Sequence, residues 1–479
     1  MFGQKKWIVF TSSDWMIIAT LMVLGGCGDD PQSEDSTDDL SSDESDNGGG
    51  TEVTEWTLHC PGDMDQKKDV WYCIIPAGIY TNDTVEKPEA LQWIEGPTYV
   101  LDGRVFIGDG ANESLLTIEP GAVILGNPVT EADNTASLII QRNSKIDAEG
   151  TPDNPILFSS AKETGLRAVS DWGGVILNGN APTNRCSSLP CEVNGEGDTG
   201  IYGGDNEDDN SGTMAYVEIQ FSGKRLTSTV EFNGLTLQAV GRKTTIHHIH
   251  IHRAGDDPIE FFGGTAEVKY IFITGSGDDL FDWTDGWSGK AQFVLGVHAY
   301  GIAGGDQGIE ADNNESAFDA EPRSNPNLYN VSLGNGSILF RRGTAGTFVN
   351  SWFTGMLDIR DESTWNQVDN GKLSVTHTAL SSLAPFADDN LEGLDKMETE
   401  QWALWEGNRL VYDPMMSSGW NGEPITEFDI ADFTPAAGSP LLTGAGDIPS
   451  NDDFFEQVDF VGAVGTEDWT QGWTTFPEK

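Results

Sequence analysis

Apolar and polar residues alternate in short runs along most of this chain, and the runs recur at a fixed spacing. In residues 246–252 isoleucines alternate with histidines; in residues 268–274 Val268, Ile271 and Ile273 alternate with lysine, aromatic and threonine residues. Each run leads into an acidic turn, Gly255-Asp256-Asp257-Pro258-Ile259-Glu260 in the first and Gly277-Asp278-Asp279-Leu280-Phe281-Asp282 in the second, at an offset of 22 residues. A third copy of the turn follows after 28 residues as Gly305-Asp306-Gln307-Gly308-Ile309-Glu310-Ala311-Asp312. Period-two alternation predicts strands, and a constant repeat predicts rungs that stack into one continuous core. The fold class is therefore all-β, a right-handed parallel β-helix. Stacking at this offset sets Asp256, Asp278 and Asp306 above one another, with Glu260, Asp282 and Glu310 as a second column.

Further runs have the same form. Residues 115–124, 137–150 and 156–160 read as strand, Pro-Gly or Gly turn, strand, and residues 172–177 as the next strand. A glycine-rich acidic insertion occupies residues 178–212, after which residues 216–221 align with 248–253. The coil is expected over 111–384, after an N-terminal cap at 56–110. Residues 385–479 break the repeat and are expected to cap the open end, with one short helix at 394–406 and with Trp469 and Trp473 packed there; an uncovered last rung invites edge pairing.

Composition narrows the partners. The chain of 479 residues carries 77 acidic against 26 basic residues, a formal charge of -51. Such a surface repels nucleic acid and anionic lipid, and suits divalent cations, neutral glycans or basic proteins; it also simply favours solubility. The 57 glycines fit many tight turns.

The N-terminus reads as an export signal. Lys5 and Lys6 precede a short apolar segment at 15–24, too short to span a bilayer, and Leu24-Gly25-Gly26-Cys27 looks like a lipobox. Residues 1–26 are then a signal peptide and Cys27 the lipidated first residue. Residues 27–55, acidic and polar, form a disordered tether. Gly28 favours the outer membrane, so the expected location is the bacterial outer membrane, anchored by lipid and exposed at the surface. The other four cysteines suggest two local disulfides, Cys60 with Cys73 and Cys186 with Cys191. No Cys-x-x-Cys or zinc pattern occurs.

Several segments carry a family resemblance: residues 116–124 (Leu-Thr-Ile-Glu-Pro-Gly-Ala-Val-Ile), 148–160, 172–179 (Trp-Gly-Gly-Val-Ile-Leu-Asn-Gly), 208–212, 260–264 (Glu-Phe-Phe-Gly-Gly) and 459–473. Together they resemble bacterial lipoproteins with a pectin-lyase-like right-handed β-helix. The resemblance implies the fold and assigns no activity.

Nine carboxylates fall in the aligned blocks: Asp256, Asp257, Glu260, Asp278, Asp279, Asp282, Asp306, Glu310 and Asp312. Neighbouring rungs lie about 4.8 Å apart, a spacing at which dehydrated carboxylates need compensation. Ca²⁺, which accepts many oxygen ligands in loose geometry, fits this set; alternatively, each Asp caps a turn and repeats for conformation alone. Arg341 and Arg342 align beside Asp312, either as salt bridges ending the column or as the base of a Ca²⁺-assisted polysaccharide elimination. Polygalacturonase-type hydrolysis needs Gly-His-Gly and Arg-x-Lys elements that the chain lacks. Trp283 and Trp287 are candidates for stacking against sugar rings, or for packing between rungs. His248, His250 and His252 share the face opposite the isoleucines. At about 6.6 Å between alternate residues, that row reads as an exposed polar and aromatic ladder rather than a Cu²⁺ or Zn²⁺ site.

Three functions follow. The first is a lipid-anchored, non-catalytic surface β-helix that binds Ca²⁺, with a glycan or an outer-membrane protein as further partner. The second is a Ca²⁺-dependent polysaccharide lyase, and the third a passive structural or adhesive surface protein.

Overall fold

The computed structural model describes residues 57–477 except 68–69, 86–87, 129–133, 228–229, 303, 306, 383–404, 427 and 429–431. The expected signal peptide, tether, Cys27 and Asp306 lie outside the described residues, as does all but the last two residues of the helix expected at 394–406. The described chain winds as a right-handed parallel β-helix around a 26-stranded sheet.

Each turn of the coil contributes to three ladders of parallel strands. One ladder stacks Thr245, Ile246 and His247 on Glu267, Val268 and Lys269. After a corner, the second stacks Ile249–His252 on Ile271–Thr274. After the acidic turn, the third stacks Glu260, Phe261 and Phe262 on Asp282, Trp283 and Thr284. The 22-residue register is thus observed directly, and Glu218 lies beside His250 as aligned. Parallel pairing begins earlier than residue 111, with Tyr72–Tyr80 on Thr98–Ile107, and the second ladder continues to Arg409 and Leu410.

Columns of inward side chains fill the coil. Ile249, Ile271, Val294 and Val331 stack in one, and Phe261, Trp283, Ala311 and Phe340 in another, all sealed from solvent. A fully buried large side chain is worth about 1.5–3 kcal/mol against exposure, so repetition of the column, rather than any one residue, holds the coil together.

The corner between the first two ladders is made by one residue per rung in the left-handed region: Tyr216, His248, Tyr270, Phe293 and Asn330, with φ of 50°, 52°, 57°, 58° and 57°. Such a conformation is strained for bulky residues. Its cost is offset by ring stacking, with centroids 4.3 Å apart for Tyr216–His248, 4.4 Å for His248–Tyr270 and 4.9 Å for Tyr270–Phe293. The corner also resets the alternation. Ile246 and Ile249 both point inward although they are three apart, and His247 and His248 both point outward.

The described part of the last segment is not confined to the open end, although its Trp405 packs against the coil core. A helix at Glu362–Asp369, capped by Asp361 through Thr364 N–H at 2.9 Å, sets Trp365 and Val368 into the core. Beyond Arg409 the chain instead runs back along the outer flank of the second ladder. That flank is apolar, with Phe272, Leu295 and Val297 facing outward, and Phe428, Phe433, Val461 and Val464 pack over it as a second core. Trp469 and Trp473, expected at the open end, lie on this flank against Tyr270 and His248. The histidine row is therefore corrected: His250 and His252 are 0% exposed, covered by the C-terminal strap. The expectation missed this because strict alternation ignores the corner and shows nothing of what returns to cover a face. Both expected disulfides, Cys60–Cys73 and Cys186–Cys191, are formed.

Candidate functional site

With the strap on the second ladder, the outer face of the third is left open, and the acidic column lies there. Glu260, Asp282 and Glu310 are consecutive Cα partners across three parallel strands. They line a cleft of about 530 Å³. The insertion at 178–212 supplies its wall, bringing Arg185, Glu196 and Tyr202 over the strands. Arg185 is anchored by an ion pair to Asp285 at 3.2 Å, Asn184 by hydrogen bonds to Asn313 and Asn314, and the Cys186–Cys191 disulfide closes the loop between.

The turn carboxylates divide by role. Asp257 Oδ1 accepts the Asp279 N–H at 2.7 Å, and Asp279 Oδ1 accepts the Gln307 N–H at 3.0 Å. These two aspartates tie successive rungs together, a conformational duty of the kind anticipated for the turns, directed at the next rung. Glycine is required beside them: a Cβ on Gly277 would collide with the Gly255 carbonyl. Asp256 and Asp278 converge with Glu231. At the far end, Arg341 Nε meets Asp312 Oδ1 at 2.8 Å and Arg342 Nη1 meets Asp312 Oδ2 at 2.6 Å, while Arg341 also bonds Glu310. Both arginines thus neutralise the end of the column.

The middle is not neutralised. Glu260 Oε2 accepts from Asn233 Nδ2 at 2.6 Å. Asp282, half-buried, has an Oδ1 sealed from solvent with no hydrogen-bond partner among the described residues. Oxygens of Asp257, Glu260 and Asp282 lie within 4.8 Å of one another, as do those of Asp279, Asp282 and Glu310, so Asp282 belongs to both groups. Burial raises the pKa of Asp282 well above the carboxylate range, and Glu260 and Asp279 add to the rise. Burial likewise raises Asp257 and Glu260, each helped by neighbouring carboxylates. Asp256 is pushed up to about 8 by burial, then by Glu231 and Asp278. Glu196 is pushed to about 7 by burial, and burial takes Asp312 to about 7 against the opposing pull of Arg342. An all-oxygen set in which each carboxyl resists ionising beside its neighbour is suited to a hard divalent cation, which removes that conflict.

Of the two alternatives for Trp283 and Trp287, packing between rungs holds and the sugar platform is corrected: both are 0% exposed, inside the coil, where neither can meet a sugar. Trp287 stacks on Phe261 at 4.0 Å, and the two indole N–H groups bond Ala266 O and Thr344 Oγ1. Alternation with Asp282 and Thr284 already sets Trp283 on the inner face. Sequence reasoning passed over Arg185, Glu196, Tyr202 and Glu231, because their segments lie outside the repeat; Asp285 lies within it but was not among the nine.

Comparison with curated proteins and with solved structures gives no match. Residues 84–406, two thirds of the chain, match the family model described as a pectate-lyase-like beta helix domain. The chain belongs to that family.

Proposed function

We propose that this protein is a lipid-anchored surface β-helix whose open acidic cleft binds Ca²⁺ and presents it to a glycan or partner protein. The observation that carries the reading is Asp282: it is shared by two carboxylate groups, and its buried Oδ1 has no hydrogen-bond partner among the described residues. A buried acceptor without a donor costs about 1–3 kcal/mol, and a cation held by Asp282 with Asp257 and Glu260, or with Asp279 and Glu310, would supply what that oxygen needs. The site is rigid, since Glu260, Asp282 and Glu310 each sit on a strand rather than a loop. Anchoring through Cys27 rests on the lipobox and the tether behind it.

Titration calorimetry of the EDTA-stripped protein with CaCl₂ tests the reading, with Asp282→Asn alongside. Saturable binding that Asp282→Asn weakens at least about tenfold, the worth of a charged ligand, is the expected result. Heats equal to those of NaCl dilution would sink it and leave a passive surface protein.

A second reading, a Ca²⁺-dependent polysaccharide lyase, is favoured by one observation besides the fold: burial, and then Arg342, lower the pKa of the Arg341 guanidinium, which is paired with the cleft residue Glu310. Fold likeness alone does not license the activity. Release of unsaturated products from acidic polysaccharides, lost on adding EDTA and in Arg341→Lys, would establish it.

A further inference from the structure

The end of the strap, Thr475 to Pro477, is tied to the coil by a chain of hydrogen bonds. Thr475 N–H and Oγ1–H both donate to Glu218 Oε2, at 2.7 and 2.8 Å, and Gln220 Nε2 approaches it at 3.3 Å. His250 Nδ1 lies 3.1 Å from the same oxygen, and His250 Nε2 lies 2.9 Å from Thr274 Oγ1. Thr274 Oγ1 is 2.7 Å from His252 Nδ1, and His252 Nε2 is 3.0 Å from the carbonyl of Pro477. Both ends of the chain are therefore strap residues, Thr475 and Pro477.

Counting protons fixes its state. The four links from Glu218 to Pro477 each need one proton. Glu218 Oε2, already taking three donors, can only accept, and so can the Pro477 carbonyl. Two neutral imidazoles and one hydroxyl supply three protons, so one ring carries a fourth. The positive ring is His250, because it adjoins the carboxylate, whereas His252 meets only a hydroxyl and a carbonyl. His252 is then neutral with its proton on Nε2, and its Nδ1 accepts from Thr274.

We propose that this network is a proton-operated latch, which holds the end of the C-terminal strap, residues 469–477, on the coil at neutral pH and lets it go on acidification. A fifth proton, on His252 Nδ1, would face Thr274, whose hydroxyl would then have two donors and nothing to donate to. It would also set two cationic rings 5.8 Å apart in a space closed to water. The groups packed on the two rings from the strap, Phe428, Trp473 and Phe476, are uncharged. The charges facing them are Glu218 on the preceding rung and Arg253 after the strand, and beyond His248 stand His247 and Glu456. Burial, then His250, hold the His252 pKa well below its ordinary 6.5. His250 and Glu218 both belong to the coil and stay paired whether the strap is closed or open. His252 therefore sets the sign: below its ordinary value the open state takes up a proton there that the closed state refuses, and closure weakens as pH falls.

Hydrogen exchange of residues 469–477, corrected for intrinsic rates, measures the latch on the intact protein. Between pH about 7.5 and about 5 their protection should fall at least about tenfold, while residues 259–284 keep theirs. Glu218→Gln should open the strap already at neutral pH. Nitrogen-15 histidine spectra should show His250 doubly protonated and His252 as the neutral Nε2–H form in the closed state, with release coinciding with protonation of His252. A strap equally protected at both pH values would overturn the proposal, as would a neutral His250 or a release that leaves His252 neutral.

Discussion

Glu260 and Asp282 are direct Cα partners on adjacent parallel strands, facing one cleft, and among the described residues neither is in an ion pair. Arginine compensates Glu310 and Asp312 one rung further on. Like charges directly opposite one another destabilise a sheet, so this pair marks where the fold gives up stability in favour of a site.

That conflict should be visible as a pH dependence. A carboxyl whose folded pKa is raised stabilises the fold fully below its unfolded value and loses that contribution as pH rises through the folded value. For Asp256 the window runs from 3.8 to about 8, and Asp257, Glu260 and Asp282 act in the same direction. In EDTA the melting temperature should fall as pH rises across this window. Added Ca²⁺ should restore more at the alkaline end than at the acid end, where protons already occupy the oxygens. Calorimetric scans at matched ionic strength check both; a calcium effect independent of pH would contradict the assignment.

Asp282→Asn removes the central charge and keeps the shape. At a hundredfold excess over the dissociation constant, Ca²⁺ should stabilise the native protein by about 2.7 kcal/mol; the variant should lose most of that increment. Without Ca²⁺ the variant should melt no lower than the parent, because an amide can donate to Glu260 or Glu310.

Arg341→Ala leaves Asp312, a buried carboxylate, with only Arg342. Loss of a charge-assisted hydrogen bond there should cost about 1.5–3 kcal/mol in denaturant titration. Asp312→Asn in the same background should return part of it, since the buried carboxylate that has kept only one of its two arginines is then gone.

Trp283→Ala tests the correction of the aromatic platform. The indole fills the coil, so truncation should cost about 3–5 kcal/mol. Any glycan affinity of the protein should remain unchanged at temperatures where the variant is folded. Selective loss of glycan binding without loss of stability would restore Trp283 as a surface ligand.

Lipid attachment is tested by mass spectrometry of the native protein, which should show an acylated N-terminal Cys27. Cys27→Ala should accumulate as the precursor, and an unmodified mature chain would refute the anchor.

The repeat was legible because a parallel coil demands the same residue class at the same place in every rung. Asp282 under Glu260, and Arg341 beside Asp312, could be read as a column before any coordinates. What escaped was whatever crosses the rungs. Glu196 and Arg185 reach the cleft from a loop with no counterpart in the repeat, and nothing local in residues 178–212 says which face it will cover. The burial of His250 depends on Thr475 and Phe476, more than two hundred residues away in sequence. For Trp283 the alternation around it was enough to choose between the two alternatives, since it places the indole on the inner face.

Contacts within the coil join residues 22 apart in the repeat, whereas Gln220 bonds Thr475 across 255 residues. The two kinds of contact cannot form together as the chain is made. Rungs can wind one upon another as soon as each emerges, at small loop-closure cost, but the strap must wait for the last residues. Until then Phe272, Leu295 and Val297 present a bare greasy stripe along a growing cylinder, the kind of surface on which nascent chains stick to one another. Folding of this protein is thus split into an early zippering and a late wrapping, and the interval between them is when it most needs a chaperone.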